Sequence, residues 1–408
     1  MLWIVGKTFS EFRQYLETRG TTYGIFWDQT LELPQEVTAP VVRLNFSQAE
    51  TITVQLQEYP ELDVSAIIVA GYENYVLPAA YIAAFYGVPG PSPQAALAAT
   101  DKAVMRQMFL DYDTAISPQY AAVSDWHDVV SFMKNHEFPV VLKPASLMKS
   151  LLITKSSSMT ELQENYEETA RQIQKLYRKY SVGQVPKIII EEFLEGSMHT
   201  VAGFADANGQ PLLIPGVVDC ITGQQIGHDD NFLYARTLPT RLPAAEQERI
   251  MHVAAEGIQA LGLRSCPAHV ELMLTKTGPK IIEIGARIGG YRPRMYEYAY
   301  GIDLQAIMLA IARGEIPQIT PTLNRSISVF ELFPDTEGPY EALSNEAQLS
   351  SLPSLRRLSI KPDKGQIIGR SSRGYKAAAV VILGHDDSAQ LQKDSDFIRS
   401  QVRVELGG

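Results

Sequence analysis

Two glutamates, Glu271 and Glu283, lie in two short β-like runs that flank a polar turn. The runs are PAHVELML and PKIIEIGA, and the segment between them, Lys276 to Gly278, fits a three-residue hairpin loop that ends in glycine. Each glutamate is six residues from Thr277, so the hairpin should pair them directly on one face. Opposed carboxylates destabilise a sheet unless a cation compensates them, and hard oxygen ligands suit Mg²⁺ or Mn²⁺. The spacing therefore predicts a divalent-metal site.

The same face of this hairpin also carries a base and a cation. Alternation along the strands places His269 beside Glu271, and it places Gly285 and Arg287 beside Glu283. A solvated face of a half-exposed sheet would also be polar, so the glutamate pair alone does not distinguish a site from a surface. Motifs elsewhere in the chain help to decide between a functional site and a solvated surface. In chain order, the set is TDKAVMR, FPVVLKP, IIIEEFLEG, the hairpin itself and the pair Gly289-Gly290.

Both helices and strands are expected to position these residues. Over residues 1–95, short apolar runs alternate with helical patterns, which predicts an open N-terminal α/β domain. After the break VPGPSPQ, we expect a core domain over 96–320 with a mainly antiparallel sheet. A strand, a long amphipathic helix and a second strand predict a compact lid over 136–200. Residues 321–408 predict a C-terminal α+β subdomain. The fold class is therefore α/β, with α+β architecture in the core.

Composition limits the classes of function. The chain has 408 residues, of which 45% are hydrophobic and 20% charged, and this predicts a globular protein with several domains. Its formal charge of -10 and pI near 5.3 would repel a phosphate backbone, so nucleic acid is not an expected partner. No apolar run reaches the roughly 18 residues that span a bilayer, so we expect a cytoplasmic protein without a membrane partner. Cys220 and Cys266 lack metal-type spacing and are expected to be reduced thiols.

Taken together and in order, these motifs resemble the ATP-grasp superfamily, and the likeness extends over nearly the whole chain. It is strongest to carboxylate-amine ligases that include L-amino-acid ligases, and more distant to D-alanine ligases and biotin carboxylase. The resemblance implies an ATP-grasp fold with a Rossmann-like N-terminal domain, a lid and a C-terminal subdomain. It also implies ATP with Mg²⁺ or Mn²⁺, small carboxylate and amine substrates such as amino acids, and a possible homodimer.

The resemblance implies roles for the matching residues. Lys102 and Lys143 match the lysines that neutralise nucleotide phosphates. Glu271 and Glu283 match the metal-binding carboxylates. Arg287, with the backbone around Gly289 and Gly290, matches the group that steadies the reacting carboxylate and oxyanion. The hinge that holds adenine corresponds to Glu191, Glu192, Phe193 and Leu194. Viewed singly, Lys102 could be a solvated helix lysine, Lys143 a sheet-edge charge, and Glu191 a surface partner of Lys187.

The chain departs from the family pattern at the metal site and in the phosphate loop. Gly285 occupies the position where many relatives have an Asn, so a second metal ion must be held differently or weakly. The loop ASLMKSL has no glycine and instead offers Ser146, Lys149 and Ser150 to phosphate, through hydroxyls, backbone amides and an ammonium.

A further departure concerns the ribose contact. Met198 replaces the usual ribose-binding acid, which leaves Glu195 or His199 for that contact, or no contact at all.

Candidate substrate contacts are His269 on the metal face, the loop residues Asp229, Asp230 and Asn231, and the arginines Arg292 and Arg294. The loop could receive a substrate ammonium, and the alternative is a solvated turn. The arginines could bind a carboxylate, and the alternative is a salt bridge at the start of a helix.

The implied reaction is ATP-dependent amide formation. A carboxylate takes the γ-phosphoryl group, ADP leaves, and an amine then displaces phosphate from the acyl phosphate to give a dipeptide-like product. Lid closure would exclude water from the acyl phosphate. Two alternatives stay open: carboxylation through carboxyphosphate, and a nucleotide-binding sensor without catalysis, which the departures at Gly285, Met198 and the glycine-poor loop suggest.

Overall fold

The computed structural model describes residues 1–7, 10–147, 151–180, 185–228 and 230–407. The N-terminal unit contains strands β1 (Leu2–Val5), β2 (Tyr23–Asp28), β3 (Val41–Leu44) and β4 (Ala66–Ile68), with helices α1 (Ser10–Thr18), α2 (Ile52–Gln55) and α3 (Val76–Tyr86). The sheet is parallel, in the order β3-β2-β1-β4. Alternate residues of β1 pack into two different cores, Leu2 and Ile4 with α1, and Trp3 and Val5 with α2 and α3. A sheet covered on both faces explains the uninterrupted apolar runs of these strands.

Two helices connect this unit to a small antiparallel sheet. They are α4 (Pro93–Ala98) and α5 (Lys102–Tyr112), and each begins at a side-chain cap, Ser92 or Asp101. The small sheet contains β5 (Tyr120–Val123), β6 (Val140–Pro144), β7 (Thr154–Ser156) and β8 (Ile188–Glu192), with helices α6 (Trp126–Met133) and α7 (Met159–Tyr180). Its strand order is β5-β8-β6-β7.

The small sheet is the element that corresponds to the expected lid, with different bounds. It begins at Tyr120 because β5 pairs with β8, and it ends at Glu192 because the next strand joins another sheet. A lid over 136–200 therefore omits β5 and α6 and includes residues of the larger sheet. Sequence proximity did not reveal the pairing of β5, which joins strands more than sixty positions apart.

A nine-stranded sheet forms the centre of the molecule. Its strands are β9 (Ser197–Ala205), β10 (Pro211–Leu213), β11 (Val218–Thr222), β12 (Leu233–Leu238), β13 (Cys266–Thr275), β14 (Gly278–Gly285), β15 (Ser326–Leu332), β17 (Leu355–Ile360) and β19 (Ala379–His385). The order is β14-β13-β9-β11-β12-β15-β19-β17, with β10 on β9, and every pairing is antiparallel. The predicted antiparallel core sheet is thus confirmed.

The two faces of this sheet are covered differently. Helix α8 (Ala244–Ala260) packs Ile250, Ala254 and Ile258 on the face formed by Val270 and Leu272. Helices α9 (Arg292–Tyr300) and α10 (Leu304–Ala312) cover part of the opposite face. The uncovered part of that opposite face carries the charged residues described below.

The C-terminal part does not form a separate sheet throughout. Strands β15, β17 and β19 extend the nine-stranded sheet, and only β16 (Gly338–Leu343), β18 (Ile367–Ile368) and β20 (Val404–Leu406) form their own small sheet. Helices α11 (Glu346–Ser350) and α12 (Ser388–Gln401) complete this part. A self-contained subdomain over 321–408 is therefore too simple a description.

Both cysteines are buried free thiols. Among the helices that the structure describes, none combines the length and the apolar character needed to cross a bilayer.

Candidate active site

The two hairpin glutamates face each other. In the β13–β14 pair, Glu271 is the direct partner of Glu283, as the sequence predicts. The predicted turn, however, is wrong: Thr275 pairs with Gly278, so the turn contains two residues and not three. A two-residue turn alone would have placed a different residue opposite Glu271.

A β-bulge restores the pairing. Strand β14 contains one extra residue, Ile282, between the turn and Glu283, and this residue has no partner in β13. The turn is one residue shorter than predicted, and the strand contains one extra residue. The two differences cancel, so the predicted three-residue turn still gave the correct pair, Glu271 with Glu283. The carbonyl of Ile282 accepts a hydrogen bond of 2.7 Å from Nη2 of Arg106. A buried guanidinium therefore satisfies a carbonyl at the irregular position.

Each of the paired carboxylates also has a basic neighbour. Oε2 of Glu283 lies 3.1 Å from Nζ of Lys102, and Oε1 of Glu271 lies 3.4 Å from Nε2 of His269. Burial lowers the pKa of His269 to about 4, so its ring is neutral at pH 7. Burial alone would raise the pKa of Glu271, but His269 and Arg287 outweigh it and hold that pKa well below its usual range.

The donor set suits a hard divalent cation. Glu271 and Glu283 are both ionisable oxygen donors, and about a quarter of each side chain is exposed, so the pair is open to a ligand. Opposed carboxylates on one sheet face repel each other, and a shared Mg²⁺ or Mn²⁺ would offset that repulsion. The residues present therefore fit the metal site that the sequence predicts.

Two hydrogen bonds fix the backbone around Lys102 at the start of helix α5. Asp101 caps helix α5 by accepting a hydrogen bond from the backbone N–H of Ala103, at 2.9 Å. The backbone N–H of Lys102 donates to the carbonyl of Ala145, at 2.8 Å, just beyond strand β6. Since β6 carries Lys143, this bond ties the two predicted phosphate-binding lysines to adjacent backbone.

Three buried charges meet where the small sheet approaches the nine-stranded sheet. Glu191 accepts from Nζ of Lys143 at 2.6 Å and from Nε of Arg106 at 2.8 Å. Burial lowers the pKa of Lys143 to about 8, although Glu191 opposes this shift. Burial would raise the pKa of Glu191, but Arg106 and Lys143 hold it below its ordinary value. With all three ionised, the trio has a net charge of +1, which favours a bound anion.

Arg106 is a candidate site residue that sequence reasoning missed. It is fully buried, and its Nη1 has no hydrogen-bond partner among the residues that the structure describes. A signal was available, since Arg106 lies four residues after Lys102 and therefore on the same face of α5. The arrangement also means that both carboxylate oxygens of Glu191 are occupied, so any adenine contact there depends on the backbone.

The predicted adenine hinge comprises the last two residues of β8 and the start of the connection from β8 to β9. Phe193 and Leu194 are half-buried in this short segment, and the ammonium of Lys155 lies 4.0 Å from the centre of the Phe193 ring. The carboxylate of Glu192 accepts from the backbone N–H of Gln119, at 3.1 Å, and therefore fixes the strand edge. Glu195 is exposed.

The remaining predicted ATP contacts are His199 and the loop residues Ser146, Lys149 and Ser150. His199 lies on the opposite face of β9 from Thr200, the neighbour of Glu271, because side chains alternate along a strand. Its ring lies 2.6 Å from Oγ of Ser197 and 3.0 Å from Oδ1 of Asp219, so it does not reach the glutamate face. The backbone N–H of Ser146 donates to the hydroxyl of Tyr177. Lys149 and Ser150 lie outside the described residues.

The turn after β14 packs closely on the glutamate face. A Cβ atom at Gly289 would lie 2.5 Å from Nδ1 of His269, so this position has no room for a side chain. Nη2 of Arg287 lies 3.3 Å from Oε2 of Glu73, a residue of the N-terminal unit. Burial and the neighbouring Glu283 and Glu271 raise the pKa of Glu73, and Arg287 and Lys102 oppose this. Glu73 is a second residue that sequence reasoning missed.

Of the predicted substrate contacts, His269 and Arg292 lie at the glutamate face. Arg292 is fully buried and donates from Nη2 to Oγ1 of Thr200, at 2.7 Å, while its Nε has no hydrogen-bond partner among the described residues. Thr200 is the direct partner of Glu271 in β9. Arg292 has no carboxylate partner in the part of the chain that the structure describes, and a buried guanidinium of this kind is suited to an anionic group of a substrate.

The other predicted substrate contacts have structural roles or are exposed. Arg294 pairs with Glu11 at 2.6 Å on the surface, which is the salt-bridge alternative. Asp230 accepts from the backbone N–H of Ser372, at 3.1 Å, and so links the loop to the C-terminal part. Asn231 is exposed, and Asp229 lies outside the described residues.

A separate acidic cluster belongs to a helix start. The ligand-type atoms of Asp125, His127 and Asp128 lie within 4.8 Å of one another. Both carboxylates form the capping box of helix α6, so helix formation accounts for their positions.

Comparison with known proteins identifies the domain type. Residues 136–293 match the family model described as ATP-grasp domain. Over 261 residues the chain is 28% identical to phosphoribosylamine–glycine ligase of Methanosphaera stadtmanae, covering 60% of this chain and 57% of that protein. Over 278 residues it is 24% identical to alanine–anticapsin ligase of Bacillus subtilis, covering 64% and 57%. The chain thus spans less than two thirds of the length of the curated relatives it matches.

A solved structure agrees over the whole fold. The L-amino acid ligase from Bacillus licheniformis superposes with a TM-score of 0.80 and 16% identity, covering 100% of this chain and 99% of that chain. At this identity the comparison establishes a shared fold.

We predict that replacing Arg106 by Met destabilises the protein by about 3–5 kcal/mol, because it leaves the buried carboxylate of Glu191 short of a partner and frees the carbonyl of Ile282. Urea unfolding followed by intrinsic fluorescence measures the loss. Replacing the exposed Arg178 by Met is the matched control and should change stability by less than about 0.5 kcal/mol. Equal stability of the two variants would contradict a structural role for the buried trio.

Proposed function

Because the chain carries an ATP-grasp domain and has the ATP-grasp fold, we propose that it is an ADP-forming ligase that joins a carboxylate to an amine. The observation that carries the proposal is the direct pairing of Glu271 with Glu283, next to Lys102. Both glutamates and Lys143 lie within the matched domain. The two relatives described above are named as ligases that act on glycine or alanine, which supports amide formation over carboxylation.

In this proposal ATP lies between the small sheet and the nine-stranded sheet. Lys102 and Lys143 neutralise the phosphates, and their anchoring through Ala145 and Glu191 limits how far each ammonium can move. Phe193 and Leu194 contact adenine. Mg²⁺ or Mn²⁺ held by Glu271 and Glu283 would withdraw charge from the phosphate oxygens.

The reaction has two steps. A carboxylate oxygen of the first substrate attacks the γ-phosphorus, the bond to the ADP oxygen breaks, and an acyl phosphate forms. The amine nitrogen of the second substrate then attacks the acyl carbon and loses a proton, and the bond to phosphate breaks. Arg287 and the backbone amides around Gly289 and Gly290 stabilise the negative charge on the acyl oxygen. In this proposal the small sheet closes over the site and excludes water from the acyl phosphate during both steps.

We propose amino acids as the substrate class. The names of the two curated relatives contain glycine and alanine, which supports an amino-acid substrate for this chain. The buried Arg292 guanidinium, beside Thr200 on the glutamate face, suits a substrate carboxylate.

Isotope transfer tests the proposed reaction. Protein, ATP and Mg²⁺ are incubated with pooled amino acids whose carboxylates contain ¹⁸O, and products are measured by mass spectrometry. We expect ADP and a new amide in equal amounts, with one carboxylate ¹⁸O in each released phosphate, because the carboxylate oxygen that bridges carbon and phosphorus in the acyl phosphate leaves with phosphate. The variant Glu283→Gln should give neither product. Release of AMP, or phosphate without ¹⁸O, would exclude this mechanism, and a bicarbonate requirement without amide would indicate carboxylation.

Nucleotide affinity should depend on pH through Lys143. Its pKa is lowered to about 8, so the ammonium is charged below that pH and loses its proton above it. Binding a phosphate requires the charged form, so the ADP dissociation constant should rise by up to about tenfold per pH unit above 8. Calorimetry between pH 7 and 9.5 measures it, with Lys143→Arg as the control that stays charged and should show a flatter profile. A flat wild-type profile would contradict this assignment.

A further inference from the structure

The β-bulge in strand β14 decides which face of the sheet Glu283 occupies. From the turn onward, β13 and β14 pair regularly as far as Leu272 with Ile281. One more regular pair would place Ile282 opposite Glu271, and Glu283 would then point to the face that packs on helix α8. The extra residue instead brings Glu283 to the face of Glu271.

The apolar residues of β14 need the same bulge. Ile281 and Ile284 are both fully buried in the core beside helix α8. They are three positions apart, and in a regular strand such residues point to opposite faces. Both therefore reach one core only with an extra residue between them. The extra residue, Ile282, has no partner in β13, so its carbonyl needs a hydrogen-bond donor from elsewhere.

Helix α5 supplies that donor. Nη2 of Arg106 donates to the carbonyl of Ile282 at 2.7 Å, and one turn earlier Nζ of Lys102 lies 3.1 Å from Oε2 of Glu283. Two residues on one face of the helix thus contact two consecutive residues of the bulged strand. Arg106 is fully buried, so water does not compete for its hydrogen bonds.

The same guanidinium also reaches the small sheet. Its Nε donates to Oε1 of Glu191 at 2.8 Å, and its Nη2 lies 3.5 Å from Oε2. Oε2 of Glu191 in turn lies 2.6 Å from Nζ of Lys143. The planar fork of an arginine spans a carboxylate in one sheet and a carbonyl in the other, which the single ammonium of a lysine does not do.

We propose that Arg106 is a positioning residue for both halves of the proposed site: it holds Glu283 opposite Glu271 through the bulge carbonyl, and it holds Lys143 through Glu191. The inference rests on the proposed function, in which the glutamates bind a cation and the lysine binds phosphate. Loss of Arg106 then weakens cation binding and nucleotide binding together, although the residues that bind them lie on different sheets.

The experiment measures two affinities of the full-length protein, for ADP by calorimetry and for Mn²⁺ in the presence of ADP by electron paramagnetic resonance. Arg106→Lys keeps the charge and loses the fork, so both affinities should fall by about tenfold. The matched control is Arg249→Lys in helix α8, whose side chain is 51% exposed, and it should bind like the wild type. Hydrogen–deuterium exchange over residues 278–285 should become faster in Arg106→Lys only, because the bulge loses its donor.

The pH dependence of ADP affinity separates positioning of Lys143 from a general loss of stability. Burial lowers the pKa of Lys143 to about 8, Glu191 opposes this shift, and the charges of Arg106 and Lys102 add to it. Arg106→Met removes one of these charges and should raise that pKa, so the loss of ADP affinity should begin at a higher pH than in the wild type. Glu191→Gln should move it to a lower pH. General destabilisation would not shift the two profiles in opposite directions.

The outcomes separate this inference from the proposed function. Failure of the wild type to bind ADP and Mn²⁺ would overturn both. Wild-type binding that Arg106→Lys leaves unchanged would overturn only the role of Arg106, and so would the loss of one affinity without the other. Shifts of the two pH profiles in the same direction would also overturn that role. If Arg106→Met fails to fold, as judged by circular dichroism, Arg106→Gln replaces it in the pH profile, with the same expected shift.

Discussion

Two like charges placed opposite each other in a strand pair, Glu271 and Glu283, are the constraint on which the rest of this site depends. Such a pair destabilises a sheet by itself, so the surrounding chain must compensate it. Lys102 does so from the start of α5, and His269 does so from the same strand as Glu271. Their compensation is partial, because the imidazole is neutral at pH 7. In the proposed function, a divalent cation shared by the two glutamates supplies further compensation.

The same helix connects the two glutamates to Lys143. Arg106, one turn after Lys102, donates to Glu191 in the small sheet and to the carbonyl of Ile282 in the nine-stranded sheet. One buried side chain thus bridges the two sheets between which the nucleotide is proposed to lie. Lys143 also pairs with Glu191, so Glu191 and Arg106 together link the ammonium of Lys143 to strand β14.

The alternation and spacing of residues along the chain predict which two glutamates pair. They predict less well the contacts that hold this pair in place. The pairing of Glu271 with Glu283 follows from alternation and spacing, and it is correct although the turn and the bulge at Ile282 were not foreseen. A bulge compensates for turn length without changing the polar and apolar pattern, so the sequence does not distinguish the two arrangements. Arg106 was recognisable from helical spacing. Glu73 was not, because its contact with the site depends on how the N-terminal unit packs against a strand more than two hundred residues away.

A crystal structure with ADP and Mn²⁺ would show whether Glu271 and Glu283 hold the metal ion beside the nucleotide. Anomalous scattering locates manganese independently of the protein coordinates. The account predicts a manganese peak about 2.0–2.3 Å from carboxylate oxygens of both Glu271 and Glu283, beside the nucleotide phosphates. Bound nucleotide with manganese elsewhere, for example at Asp125 and Asp128, or with the two glutamates turned away from it, would contradict the account.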